Sequence, residues 1–304
     1  MARHVLFQWS MRAQATVTHP VSVHGIGLHT GRPVEVILHP LGTGRGISFF
    51  RRDTGTAIPA LAEEAGRLDY ATSLGAPGND VSTVEHLLSA TAGLGITNLL
   101  VEVDGPEMPI LDGSALPWVR AIQRAGIVRQ GAAIPVWRPS RTLSVSAPGG
   151  KHLEIRPSRD LRVTYSIDFP SRVIGRQSIT VVVTPDTYVH HVAPARTFGF
   201  LAEYEWLKSK GLARGASAEN CIVVGEDRIE NGDLRFPDEF VRHKVLDLLG
   251  DLVLVGQPIA GHIVASRAGH AIHAQLARAI REEISQERIF VTGNAETSWA
   301  AAGR

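Results

Sequence analysis

Apolar and polar residues alternate through VTHPVSVHGIGLHTGRPVEVILHP around a glycine-rich centre, which predicts two strands joined by a turn. The period then changes. From Ser82 the run STVEHLLSATAGLG reads as a helix stopped by Gly93 and Gly95. ITNLLVEVDG follows as a buried strand, and Pro117 to Ala125 as another helix. The segment GAAIPVWRPSR, Gly131 to Arg141, reads as a linker. After it the strand signal restarts at Arg141–Ser146, His152–Ile155, Arg162–Asp168 and Ser178–Val183. Helices are expected at Gly199–Lys210, Asp238–Leu249 and His270–Glu283. Each half thus carries strands and at least two helices. The expected fold is α+β, with domains at residues 1–132 and 138–304, each a mostly antiparallel sheet layered with helices.

Composition narrows the function classes. The 304 residues carry a net charge of +1, with acids and bases spread along the chain. A nucleic-acid surface needs a basic patch or stripe, and none is visible. The most apolar region, Val245 to Val264, contains Asp247, Asp251 and Gln257, which argues against a membrane span. The opening MARHVLFQWSMR has too short an apolar run for a signal peptide. It reads as a disordered lead-in, with Met11 as an alternative start. Cys221 is the single cysteine, which rules out an intramolecular disulfide and fits a reducing cytoplasm.

The sharpest chemical signal is FVRHKVLDLLGDL. His243 and Asp247 lie four apart and share a helix face, where an imidazole and a carboxylate can hold a divalent metal. Asp251, four further on, is placed to support them. The same spacing also suits a solvated charged face. In STVEHLL, Glu85 and His86 are adjacent, one able to ligate a metal and the other to act as a base. Read alone, Ser82-x-x-Glu85 equally fits a capping box at a helix start. His270 ends ASRAGH at an expected strand–helix junction, and Asp251 is a candidate to hold its ring. GIGLHTG has the spacing GxGxxxG with no helix after it, so it reads as a hairpin turn and not as a dinucleotide loop. Asp112, in MPILDGSALPW, reads as a turn residue binding backbone amides.

GIGLHTG, STVEHLLSATAGLGI, PILDGSALPWV, ARTFGF, FVRHKVLDLLGDL and SRAGHAIHAQL occur in that order. From about His19 to Ile284 the chain thereby resembles the zinc-dependent UDP-3-O-acyl-N-acetylglucosamine deacetylases of bacterial lipid A synthesis. The resemblance implies two similar α+β domains with the active site between them. It implies one catalytic zinc ion, with ferrous iron as the alternative, and no nucleic-acid partner. The implied substrate is a small UDP-sugar bearing a 3-hydroxyacyl chain, and the implied state is a cytoplasmic monomer. It makes His86, His243 and Asp247 the metal ligands, Glu85 the general base, His270 the second catalytic group and Asp251 the acid that orients it. Thr197 matches a hydroxyl near the scissile carbonyl, and Lys244 a lysine of the site. Two His and one Asp leave a fourth zinc position open, as catalysis requires.

For substrate binding the resemblance points to Asp168 and Phe169 near the uracil and ribose. It also points to Leu28, and to an acyl passage built by the insert Phe198–Val224, including Phe198, Leu201 and Tyr204. Three departures stand out. Ser171 and Arg172 replace a usual His-Pro, Arg267 stands where lysine is common, and Tyr204 is bulkier than the expected aliphatic residue. Arg267 keeps a positive charge for the diphosphate with different geometry. Two alternatives remain at this point: a related zinc amidohydrolase acting on another acylated amino sugar, and a binding-only homologue.

Overall fold

The computed structural model describes residues 10–301, with side chains described as far as Glu287. The chain opens with β1 (Ser10–Val17), β2 (Val21–Ile26), β3 (Pro33–Pro40), β4 (Ile47–Arg51) and β5 (Thr56–Pro59). Then come α1 (Glu85–Leu94), β6 (Leu99–Val103), α2 (Leu116–Ala125) and β7 (Ile127–Val136). β2, β3, β6, β4 and β5 form one five-stranded sheet in that order, and only the β4–β6 pair is parallel.

The second half continues with β8 (Leu143–Ala147), β9 (Lys151–Arg156), β10 (Leu161–Asp168), β11 (Arg176–Val182) and α3 (Pro185–His191). β12 (Phe198–Phe200), α4 (Leu201–Ser209), β13 (Ile222–Val224), α5 (Glu239–Asp251), β14 (Gly261–Ser266) and α6 (His270–Ala301) complete it. Its sheet runs β11-β10-β14-β9-β8, again with a single parallel pair, β10–β14. Two sheets of one plan, each flanked by helices, make this a two-domain α+β fold, as expected.

The patterns explain the layers. β3 buries Val34, Val36 and Leu38 and β10 buries Val163, Tyr165 and Ile167, at the period of two that a half-covered sheet demands. α2 buries Trp118, Val119 and Ile122 and turns Arg120, Gln123 and Arg124 outward. α1 and α5 are different, because nearly every residue of both is buried. They pack on each other. A Cβ on Gly250 would collide with the backbone carbonyl of Glu85, so only glycine permits this approach. The two helices that carry the sequence motifs are thus pressed together in the middle of the molecule.

Several boundaries differ from expectation. α1 begins at Glu85 and not at Ser82: Thr83 has φ +59°, and the Ser82 hydroxyl turns to the Pro106 carbonyl at 3.4 Å. No side chain caps α1, so the capping-box reading of Glu85 is replaced by a different role. Gly93 does not stop the helix; it lies inside it, where the Tyr188 ring leaves no room for a Cβ. Gly95, at φ +74°, ends it. The expected linker is half strand, since β7 runs antiparallel to β1 as far as Val136, and Trp137 N–H then donates to Pro258 O at 2.9 Å. The expected helix from Gly199 starts at Leu201, because Phe198–Phe200 pairs in parallel with β13. The expected lead-in falls outside the described residues up to residue 9, and Ser10 is already paired in β1. Among the described residues no helix is long and apolar enough to cross a membrane.

Candidate active site

α1 and α5 meet with their functional side chains on one side of the contact. His243 and Asp247, one turn apart on α5, place Nε2 and Oδ1 3.3 Å from each other. His86, from the first turn of α1, brings Nε2 to 3.8 Å from the same Asp247 oxygen. All three residues are buried, and their donor atoms lie within 4.8 Å of one another. A tetrahedral zinc site with bonds of about 2.0–2.2 Å separates its ligand atoms by about 3.4 Å. The observed spacings bracket that value.

Protonation agrees with a metal-ligand set. His243 donates Nδ1–H to the Ala195 carbonyl at 3.1 Å, which fixes its tautomer and turns the Nε2 lone pair to the cluster. Burial keeps His243 neutral against the pull of Asp247. Burial and then the neighbouring His243 push His86 down to about 3, so it too is a lone-pair donor. Its Nδ1 is buried with no hydrogen-bond partner. For Asp247 burial works upward, yet His243 and Lys244 hold it well below the ordinary carboxylate range. Lys244 Nζ sits 2.7 Å from Asp247 Oδ2 and over the Phe198 ring, so it neutralises the ligand set instead of reaching free into the cavity. A neutral imidazole pair and one anionic carboxylate, incompletely hydrogen-bonded to protein, form a group that can hold a divalent cation.

Beside it stands a second cluster of different character. Asp251, fully buried on α5, accepts from His270 Nδ1 and His273 Nδ1, each at 2.8 Å, and from the Thr72 hydroxyl at 2.6 Å. These are hydrogen-bond lengths to ring N–H groups, so the cluster reads as a charge network and not as a second metal site. Burial opposes the His270 cation, but the Asp251 charge and hydrogen bond raise it to about 9. Asp251 itself is held low by His270 and His273 against burial. His273 and Thr72 were not foreseen. His273 lies three residues after His270 on the same helix face, a spacing that could have revealed it. Thr72 is in a loop without any sequence signal.

Glu85 occupies the space between the clusters. Its carboxylate accepts Thr72 N–H at 3.1 Å. Burial pushes it up to about 8, against the nearby His270 and with help from the charges of Asp251 and Asp247. A buried carboxyl with a raised affinity for protons, next to a raised histidine, is the pairing that general acid–base chemistry uses.

Both clusters open on one cavity of about 790 Å³. Glu85, His86, His243, Lys244, Asp247 and His270 line its polar side. Thr197 joins them, anchored by its N–H to the Gly113 carbonyl at 2.8 Å. Leu28, Phe169, Phe198, Leu201 and Tyr204 line other parts of the same cavity. Phe198 stacks edge-on against Phe169, Phe240 and His243, so it joins the apolar wall to the imidazole. Asp168 and Arg267 are not in the lining. They pair with each other, and Arg176 adds a contact to Asp168 at 3.2 Å. Asp112 keeps its structural part: it accepts from Ser114 N–H and hydroxyl and pairs with Arg235. The GIGLHTG turn is held by Glu107, whose carboxylate accepts from His29 and Thr30 N–H at 2.7 and 2.8 Å.

The profile of a family described as UDP-3-O-acyl N-acetylglycosamine deacetylase matches residues 14–282. A UDP-3-O-acyl-N-acetylglucosamine deacetylase of Myxococcus xanthus (strain DK1622) is 46% identical over 275 residues, covering 90% of this chain and 87% of that protein. The proteins of the same name from Thermosynechococcus vestitus and Thermodesulfovibrio yellowstonii are 44% and 37% identical, covering 89% and 92% of this chain and 94% and 97% of their own.

Proposed function

The chain belongs to the UDP-3-O-acyl N-acetylglycosamine deacetylase family, and from that premise we propose the reaction and the part each residue plays. It hydrolyses the N-acetyl group of UDP-3-O-(3-hydroxyacyl)-N-acetylglucosamine to acetate and the free amine, a step of lipid A synthesis. The supporting observation is the three-donor group of His86, His243 and Asp247 beside Glu85 and His270 on one large, partly apolar cavity. The reaction is assigned to the cytoplasm, in keeping with the lone cysteine.

His86, His243 and Asp247 would hold one divalent cation, zinc by their donor types with ferrous iron as the alternative. When bound, that ion supplies Lewis-acid activation of water and of the amide carbonyl. Glu85 takes the proton of the attacking water, which needs its carboxylate form. His270, kept cationic by Asp251, faces the developing charge as a donor, and Thr197 offers a hydroxyl on the same wall. A proton from His270 or Glu85 must reach the departing nitrogen, because an amide anion is too basic to leave. Lys244 balances the charge of Asp247 so that the ligand set stays ionised. Phe198, Leu201, Tyr204 and Leu28 receive the acyl chain by apolar contact. Phe169 is assigned to the nucleoside together with Asp168, and Arg267, which pairs with Asp168 outside the cavity lining, is the cation assigned to the diphosphate.

The test is direct. The purified protein is incubated with the UDP-acyl sugar and, separately, with free N-acetylglucosamine, and acetate and free amine are quantified. Release from the acylated nucleotide alone is expected. Release from the simple sugar at equal rate would instead support a broader amidohydrolase, and release from neither would refute the assignment.

A further inference from the structure

A second cavity, of about 170 Å³, shares no lining residue with the first. Its walls come from both halves of the chain. Ile47, Ile134, Leu161 and Ile259 converge on it, each only half buried. Aliphatic side chains left part-exposed around one hollow present apolar surface that an apolar ligand would remove from water. The size is adequate for a short chain, since a dry apolar cavity of about 150 Å³ takes up benzene.

The mouth is cationic. Arg12 and Arg45 line it, and neither guanidinium has a hydrogen bond or ion pair among the described residues. Burial and the charge of nearby Arg129 make the Arg12 cation less favourable than usual. Gly95 lacks a Cβ where one would collide with the Arg12 guanidinium, so Arg12 lies against the end of α1 at this mouth. Arg12 and Arg45 are both exposed on this lining, and a guanidinium matches a carboxylate in geometry.

We propose that this cavity is a second ligand site, for a free medium-chain fatty acid, with the alkyl chain in the hollow and the carboxylate across Arg12 and Arg45. A neutral apolar ligand would leave both arginines without a partner among the described residues, and a polyanion would leave the hollow empty. Ala92 of α1 and Leu249 of α5 also face the hollow, so the ligand would touch the two helices that hold the active-site residues.

A photoreactive octanoic acid, with a diazirine at the chain end, tests this on the full chain by mapping labelled peptides. Label is expected on the peptides carrying Ile134 and Ile259, whatever label the larger cavity also takes. Excess octanoate should suppress it, and octanol should compete about tenfold more weakly, the scale of a lost charge-assisted hydrogen bond. The surface double variant Arg12→Gln/Arg45→Gln should lose label there by about the same factor while labelling of the larger cavity is kept. Ala92→Leu, which adds side-chain volume to the hollow and retains both arginines, should also reduce it. Label confined to the Leu201–Tyr204 region, equal competition by octanol, or full labelling of the double variant would overturn the proposal.

Discussion

Replacing Asp251 by Asn nearly preserves its volume and removes the charge that holds the second cluster. Three groups donate to that carboxylate: Thr72 Oγ1 at 2.6 Å and the Nδ1 atoms of His270 and His273 at 2.8 Å. In the parent, burial opposes the His270 cation, yet Asp251, followed by Asp247 and Glu85, raises it to about 9. With the Asp251 charge gone, burial is opposed only by Asp247 and Glu85, and His270 should fall from about 9 toward its ordinary range. The direction of the effect follows from that. A raised histidine is cationic below about 9 and neutral above it, so the variant loses the cation at lower pH than the parent does. At about pH 8 a group of pKa 9 is nine-tenths protonated and one at the ordinary 6.5 about one-thirtieth, so a complete fall would cost about 30-fold in kcat/KM and a partial fall less. At about pH 6 the same arithmetic leaves less than a twofold difference. A divalent cation on His86, His243 and Asp247 would repel the imidazolium in both proteins alike, so the separation of the alkaline limbs is the quantity to read. The assay is kcat/KM for acetate release over about pH 5.5–9.5, with metal content measured alongside. Superimposable alkaline limbs in parent and variant would refute the role given to Asp251 and His270.

Glu85→Gln should keep its metal and lose about 10²–10⁴-fold in kcat, the usual contribution of a positioned base; loss of metal together with rate would make Glu85 a ligand. Gly250→Ala forces a methyl against the Glu85 carbonyl and should cost about 1–3 kcal/mol by chemical denaturation, with activity falling as α1 and α5 separate; a variant of parental stability and activity would show that the close approach is dispensable. Tyr204→Ile widens the wall of the large cavity and should shift the acyl-length profile toward longer chains; identical profiles would remove Tyr204 from the passage.

The fold class was legible because its signals are periodic. Alternation in β3 and β10 and the spacing in α2 each state which face is covered. The same logic brought His243, Asp247 and Asp251 onto one face of α5. Long-range contacts carried no such signal. Nothing in the sequence pairs β1 with β7, so GAAIPVWRPSR looked like a linker although the β1 edge supplies its hydrogen bonds as far as Val136. Ser82 and Glu85 obeyed the capping-box spacing, but a left-handed Thr83 and the Thr72 amide drew the two side chains apart. Lys244, Asp168 and Arg267 looked ready for substrate, yet each spends its charge on a partner within the protein. Partner choice among charged side chains depends on the folded neighbourhood, which spacing alone does not encode.

The central claim is that one divalent ion on His86, His243 and Asp247 enables removal of the acetyl group. It is tested most directly by acetate release from UDP-3-O-(3-hydroxyacyl)-N-acetylglucosamine, followed with metal stoichiometry in the parent and in His86→Ala, His243→Ala and Asp247→Ala. About one ion per parent chain is expected, with activity abolished by chelation and restored by added zinc or ferrous iron. Each variant should lose ion and acetate release together. Full activity in a chelated, metal-free parent, or undiminished metal content in the variants, would contradict the account.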